Sequence, residues 1–94
     1  MALFAIICLD APGALPLRLA TRERHLAYAE GTGQVRAGGA FLNAEGQPEG
    51  SLIILEADDL AAARAFAAAD PYATAGVFAS VEVRPWRLAL VGLA

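Results

Sequence analysis

The chain contains no lysine, one histidine, one cysteine, one tryptophan and one methionine in 94 residues. Each shortage removes a class of chemistry. Without lysine no side-chain amine can form a Schiff base. A single cysteine excludes an intrachain disulfide, and one cysteine with one histidine excludes a structural zinc site, so no metal is expected. All seven basic side chains are arginines, scattered along a chain of net charge −3. The basic stripe that nucleic acid requires is missing, and nucleic acid is not an expected partner. No apolar run approaches the roughly 18–20 residues of a membrane span. The opening MALFAIICL has neither a positive charge nor a small-residue cleavage site after it, so it does not read as a signal peptide. The expectation is a single cytoplasmic domain over residues 1–94. Gly38-Gly39 is too short and misplaced for a phosphate loop, and no cofactor is expected.

What the chain does have is apolar surface, 57% of its residues, much of it alanine. Residues 2–9 (ALFAIICL) read as a strand apolar on both faces, closed by Asp10 and Pro12. Pro12, Gly13 and Pro16 mark a loop, and a helix follows over 17–30, stopped near Gly31 and Gly33. Residues 34–42 form a second strand whose glycine pair suggests a bulge or a close backbone approach. Residues 43–50 make a hairpin connection into a third strand at 51–57. Asp58 or Asp59 caps a second helix over 59–69. Asp70 precedes Pro71, and a residue before proline is pushed out of the helical region, so this helix ends there. Residues 77–87 are the fourth strand, and 88–94 an apolar tail.

The order β-α-β-β-α-β predicts an α+β, ferredoxin-like domain, a four-stranded antiparallel sheet with two helices on one face. Two helices cover one sheet face only, yet the first and third strands are apolar on both. The second face holds more apolar surface than a soluble monomer exposes, which predicts a homodimer packed sheet on sheet.

Candidate chemistry concentrates around His25 and Asp70. A carboxylate on an imidazole fixes its tautomer and favours its protonated form. The pair can therefore act as an acid–base dyad, with His25 and Asp70 as the catalytic residues. Arg18, Arg22 and His25 recur at i, i+4 and i+7, a helix stripe that could receive an anion. The same stripe also fits a solvated charged face, with Glu23 and Glu30 making ordinary surface pairs. Tyr72 beside Asp70 and Ser51 after Gly50 complete the substrate-binding candidates with Arg18 and Arg22. Ser51 has no base near it in sequence and is a hydrogen bonder rather than a nucleophile. Cys8, in an apolar strand, reads as inert core. Trp86 reads as a packing or interface anchor.

Taken together, Asp10 after the first strand, Arg18, Arg22 and His25-Leu26, Gly38, Gly50-Ser51, Asp70-Pro71-Tyr72 and Gly76-Val77 resemble the YCII-related (YciI-like) proteins. These are small bacterial domains of the dimeric α+β barrel superfamily, and the resemblance runs across nearly the whole chain. It departs at Gly39, where such proteins often carry proline. The resemblance implies a ferredoxin-like protomer dimerising through its sheet, with a His–Asp pair in a cleft that falls on His25 and Asp70. Superfamily relatives include muconolactone isomerases and other enzymes of small oxygenated compounds. The expected function is a cofactor-independent lyase or isomerase acting on a small oxygenated or anionic compound. The alternatives are a non-catalytic dimeric module that binds a small ligand, and an interaction domain whose sheet face pairs with a larger protein.

Overall fold

In the computed structural model, which describes residues 2–92, the chain order is β1 (Ala2–Asp10), α1 (Leu15–Thr32), β2 (Val35–Leu42), β3 (Pro48–Ala57), α2 (Leu60–Ala69), α3 (Pro71–Ala75) and β4 (Phe78–Trp86). The strands form one antiparallel sheet in the order β2-β3-β1-β4. This is the ferredoxin-like α+β arrangement the element order predicts, because each helix crosses over one intervening strand to reach the next. None of the helices is long and apolar enough to cross a membrane.

The helices cover one face of the sheet. Phe4, Ile6 and Cys8 of β1 and Ile53, Leu55 and Ala57 of β3 pack against Ala63, Phe66 and Ala67 of α2. Tyr28 of α1 joins this core, and its hydroxyl donates to the Phe66 carbonyl at 2.9 Å. On the opposite face strand alternation places Leu3, Ile7 and Leu9, with Leu52 and Ile54 paired beside them. Leu9, Leu52 and Trp86 remain exposed there. Leu88, Leu90 and Val91 of the apolar tail are exposed as well, and the last two residues of that predicted segment lie outside the described residues.

Several boundaries differ from the sequence expectation for local reasons. Helix α1 starts two residues earlier than predicted because Pro16 lies in its first turn, where a missing N–H costs nothing. It ends at Gly33, which adopts φ 68°. Strand β3 starts at Pro48 rather than 51, because Asn43 closes a tighter connection. Its Oδ1 accepts from the Glu45 and Gln47 amides at 2.9 and 3.0 Å. The Gly38-Gly39 pair is not a bulge. Both residues pair regularly with Ile53 and Leu52, and the register shifts instead fall between Val35 and Ala37 and between Phe41 and Leu42. The close backbone approach belongs to Gly50, where a Cβ would lie 2.5 Å from the Cys8 carbonyl oxygen.

Candidate active site

Asp70 is both the end of α2 and the start of α3. Pro71 prevents α2 from continuing and occupies the first turn of a new five-residue helix, which the sequence pattern does not predict. With extended ψ, Asp70 turns its carboxylate over that new turn, and Oδ1 accepts the Tyr72 amide at 2.9 Å. The same carboxylate meets His25 of α1, with Nδ1 lying 2.9 Å from Oδ1 and 3.0 Å from Oδ2. Asp70 is 2% exposed, so its carboxylate is held in place and largely shielded from water.

His25 also stacks on Tyr72, with centroids 4.0 Å apart and planes 16° from parallel. On the same ring lies the Arg18 guanidinium, its Cζ 4.5 Å from the centroid. Residues 18 and 25 stand two helical turns apart, about 10 Å. The Tyr72 ring fills that gap and makes van der Waals contact with both. Burial raises the Tyr72 phenol above its ordinary pKa, and the Arg18 charge opposes this without reversing it. At neutral pH Tyr72 is therefore an uncharged platform and hydrogen bonder.

Arg18 sits differently from a ligand-binding arginine. It is 4% exposed, and its Nε and one terminal nitrogen donate to the two oxygens of Asp10 at 2.7 and 2.8 Å. The same terminal nitrogen donates to the Ser51 hydroxyl at 2.8 Å. Burial works against the guanidinium charge, but the Asp10 hydrogen bonds and charge outweigh it and raise the pKa. Arg18 and Ser51 thus satisfy one another inside the protein, and Ser51 does not line the cleft described below. Asp10, which closes the first strand and belongs to the family resemblance without a role assigned from the sequence, anchors this network. The available signal was an acidic residue closing an apolar strand, eight positions before an arginine.

A cleft of about 550 Å³ opens between α1 and β2. His25, Arg22 and Tyr72 stand on its polar side, and Arg18 also reaches its wall. Arg22 is exposed and makes no ion pair among the described residues, which leaves its charge available. Of the sequence-predicted site residues, the structure brings His25, Asp70, Tyr72, Arg18 and Arg22 to one place. In the neutral imidazole, a carboxylate that only accepts hydrogen bonds places the proton on Nδ1 and leaves Nε2 with the lone pair. No group of three or more His, Cys, Asp or Glu side chains suited to a metal exists among the described residues. Cys8 is 2% exposed with its thiol pushed up to about 12 by burial, so it is core rather than nucleophile.

Known proteins resemble this chain in sequence or in structure. An uncharacterised protein of Haemophilus influenzae is 36% identical over 96 residues, covering 89% of this chain and 95% of its own length. The protein YciI of Escherichia coli is 34% identical over 97 residues, covering 90% and 96%. A dehydrochlorinase of 5-chloro-2-hydroxyhydroquinone from Burkholderia phenoliruptrix, solved with 2,5-dihydroxybenzoquinone, superposes with a TM-score of 0.84 at 34% identity. That match covers 90% of this chain and 93% of the dehydrochlorinase. An antibiotic biosynthesis monooxygenase, 14% identical with a TM-score of 0.59, shares the fold alone, over 96% of this chain and 100% of its own. The model of the YCII-related domain matches residues 2–87, and the chain belongs to that family.

Proposed function

We propose that this protein is a cofactor-independent enzyme of lyase or isomerase type that moves a proton on a small oxygenated compound. The observation that carries the proposal is the His25–Asp70 contact at 2.9 Å, which commits Nδ1 and leaves Nε2 as the free nitrogen of a cleft-lining imidazole. In the proposed step Nε2 takes a proton from a ring hydroxyl or from a carbon next to a carbonyl. The electron pair moves into the substrate's oxygenated system, and Asp70 offsets the charge of the resulting imidazolium. An isomerase returns the proton to another atom. A lyase releases a leaving group with its electron pair instead. General acid–base help of this kind contributes about 10²–10⁴-fold, and binding in the cleft supplies positioning.

The dehydrochlorinase supports this proposal, since loss of hydrogen chloride from an oxygenated ring is removal of a proton and departure of chloride. Arg22, with its unpaired guanidinium beside His25, is the group proposed to hold an anionic oxygen. Tyr72, its ring packed against His25 and Arg18, is proposed to complete the polar contacts with its hydroxyl. The test is turnover of a panel of hydroxylated and chlorinated quinols by the wild type and by His25→Ala. Turnover is expected to vanish in the variant while its circular dichroism stays unchanged; undiminished turnover would overturn the mechanism. Were the protein only a binder, His25→Gln would weaken binding modestly and no compound would turn over in either form.

We further infer that a second copy covers the open sheet face. Leu9, Leu52 and Trp86 are 51%, 36% and 40% exposed on the sheet face turned away from the helices, apolar exposure of the kind a soluble monomer seldom leaves open. Light scattering should give twice the chain mass, and Leu52→Lys should halve it. A wild type that stays monomeric at micromolar concentration would refute the dimer.

A further inference from the structure

The cleft carries more information than its dyad. Its helical wall is one stripe of α1, running from Arg18 and Arg22 through His25 and Leu26 to Glu30. Arg22 and Glu30 are eight residues apart, about 12 Å along the axis. Both are exposed, and neither forms an ion pair among the described residues. The cleft therefore has a positive end at the imidazole and a negative end far from it. Between these ends the lining is apolar, with Leu26, Val35 and Ile53 facing the space.

The space exists because β2 does not fill it. Gly38 and Ala40 pair with Ile53 and Ser51, and so share the helix-side face of the sheet. Gly38 has no positive φ, and a Cβ added there would meet nothing nearer than the Leu52 carbonyl oxygen at 3.7 Å. Neither the backbone conformation nor close packing requires glycine at this position. What its missing side chain does is leave room beside Val35 and Ile53, whose side-chain carbons lie 3.8 Å from the virtual Cβ.

We propose that the cleft selects a ring compound with one anionic end and an apolar body. Arg22 takes the negative oxygen beside His25, the space kept open by Gly38 takes the body, and Glu30 turns away a second distant negative charge. This rests on the proposed proton transfer only for the placement of the reacting end at His25. The charge polarity and the room at Gly38 are properties of the cleft itself. Gly38 and Glu30 are therefore specificity-determining residues.

The test is binding, measured by calorimetry with four stable probes: benzoate, 4-butylbenzoate, 4-butylbenzamide and 4-(3-carboxypropyl)benzoate. The butylbenzoate is expected to bind about tenfold tighter than each of the others. Arg22→Gln should erase its advantage over the amide, and Glu30→Gln should admit the dicarboxylate. Gly38→Val should reduce butylbenzoate to the affinity of benzoate, with an unchanged or higher melting temperature, because valine suits a strand better than glycine. Equal or tighter binding of the dicarboxylate by the wild type, no gain from the butyl chain, or no binding of any probe would overturn the proposal. Its failure is separable from that of the proton-transfer mechanism. A protein that binds the probes in this order yet turns over no quinol has lost the mechanism and kept the selectivity. One that turns over quinols but binds the probes in another order has done the reverse.

Discussion

Replacing Asp10 by leucine leaves the Arg18 guanidinium inside the protein with its bidentate partner gone. The two side chains are 6% and 5% exposed, and the hydrogen bonds that join them measure 2.7 and 2.8 Å. Removing one member of such a buried pair costs about 3–5 kcal/mol, because the remaining charge stays desolvated. Arg18→Met strands the Asp10 carboxylate and should cost a similar amount. The double variant removes both charges together. It keeps only the penalty of an unpartnered Ser51 hydroxyl, which Arg18 reaches at 2.8 Å, and of a lost cation on the Tyr72 ring, about 1–3 kcal/mol in total. The single losses sum to about 6–10 kcal/mol, so the cycle should show a coupling of about 3 kcal/mol or more. That sum rivals the whole stability of a small domain, about 5–15 kcal/mol, so urea titrations are best run in sucrose, which favours the folded state. The gentler Asp10→Asn serves where leucine does not fold. Additive losses, or an Asp10→Leu cost below about 1 kcal/mol, would refute the assignment of Arg18 to the interior. In parallel, the double variant should bind 4-butylbenzoate within a few-fold of wild type, whereas Arg22→Gln should not.

Asp70→Asn should keep the cap on α3, since asparagine caps as well as aspartate, yet lower turnover by about 10²-fold or more through loss of the imidazolium's counter-charge. Asp70→Ala should lose about 1 kcal/mol of stability as well, measured by urea unfolding; equal turnover in Asp70→Asn and wild type would contradict the dyad. Gly50→Ala drives a Cβ to 2.5 Å from the Cys8 carbonyl oxygen and should cost about 1–3 kcal/mol, read as a lower melting temperature. Cys8 keeps its proton in the folded protein up to about pH 12 against an ordinary 9.0, so its contribution to stability is complete below pH 9 and is lost as the pH rises from there. Tyr28 and Tyr72 are shifted upward by burial too and act in the same direction. Urea midpoints should fall between pH 9 and 11, Cys8→Ala should flatten part of that fall, and a pH-independent midpoint would count against the burial of all three.

The elements were legible where a single residue dictates local conformation. Asp70-Pro71 stops one helix whatever surrounds it, and the alternation in ALFAIICL produces the two faces of β1. The short α3 escaped because five residues carry no periodicity, and its only signal is the proline already spent on ending α2. Asp10 was legible as part of the resemblance, but its pairing with Arg18 was not. The partner lies across a loop, and nothing in a linear pattern says that strand end and helix start face each other. Arg18 and Arg22 share a helix stripe and look equivalent by spacing. Tertiary packing separates them, by burying one against Asp10 and leaving the other at the cleft. The glycine pair was legible as unusual, but the bulge assigned to it falls at flanking positions. Its missing side chains instead open space against α1, a partner from outside the strand.

Asp70 is a joint before it is anything else: it closes one helix, opens the next, and has its carboxylate held by the Tyr72 amide independently of His25. Selection on folding alone would keep it. His25 meets that carboxylate and stacks on one ring, and neither the end of α2 nor the start of α3 depends on it. In a lineage that gave up the chemistry, position 25 would drift while position 70 stood still. Among relatives, an aspartate at 70 therefore says that the scaffold survives, and under the proposed mechanism only a histidine at 25 says that the proton transfer does.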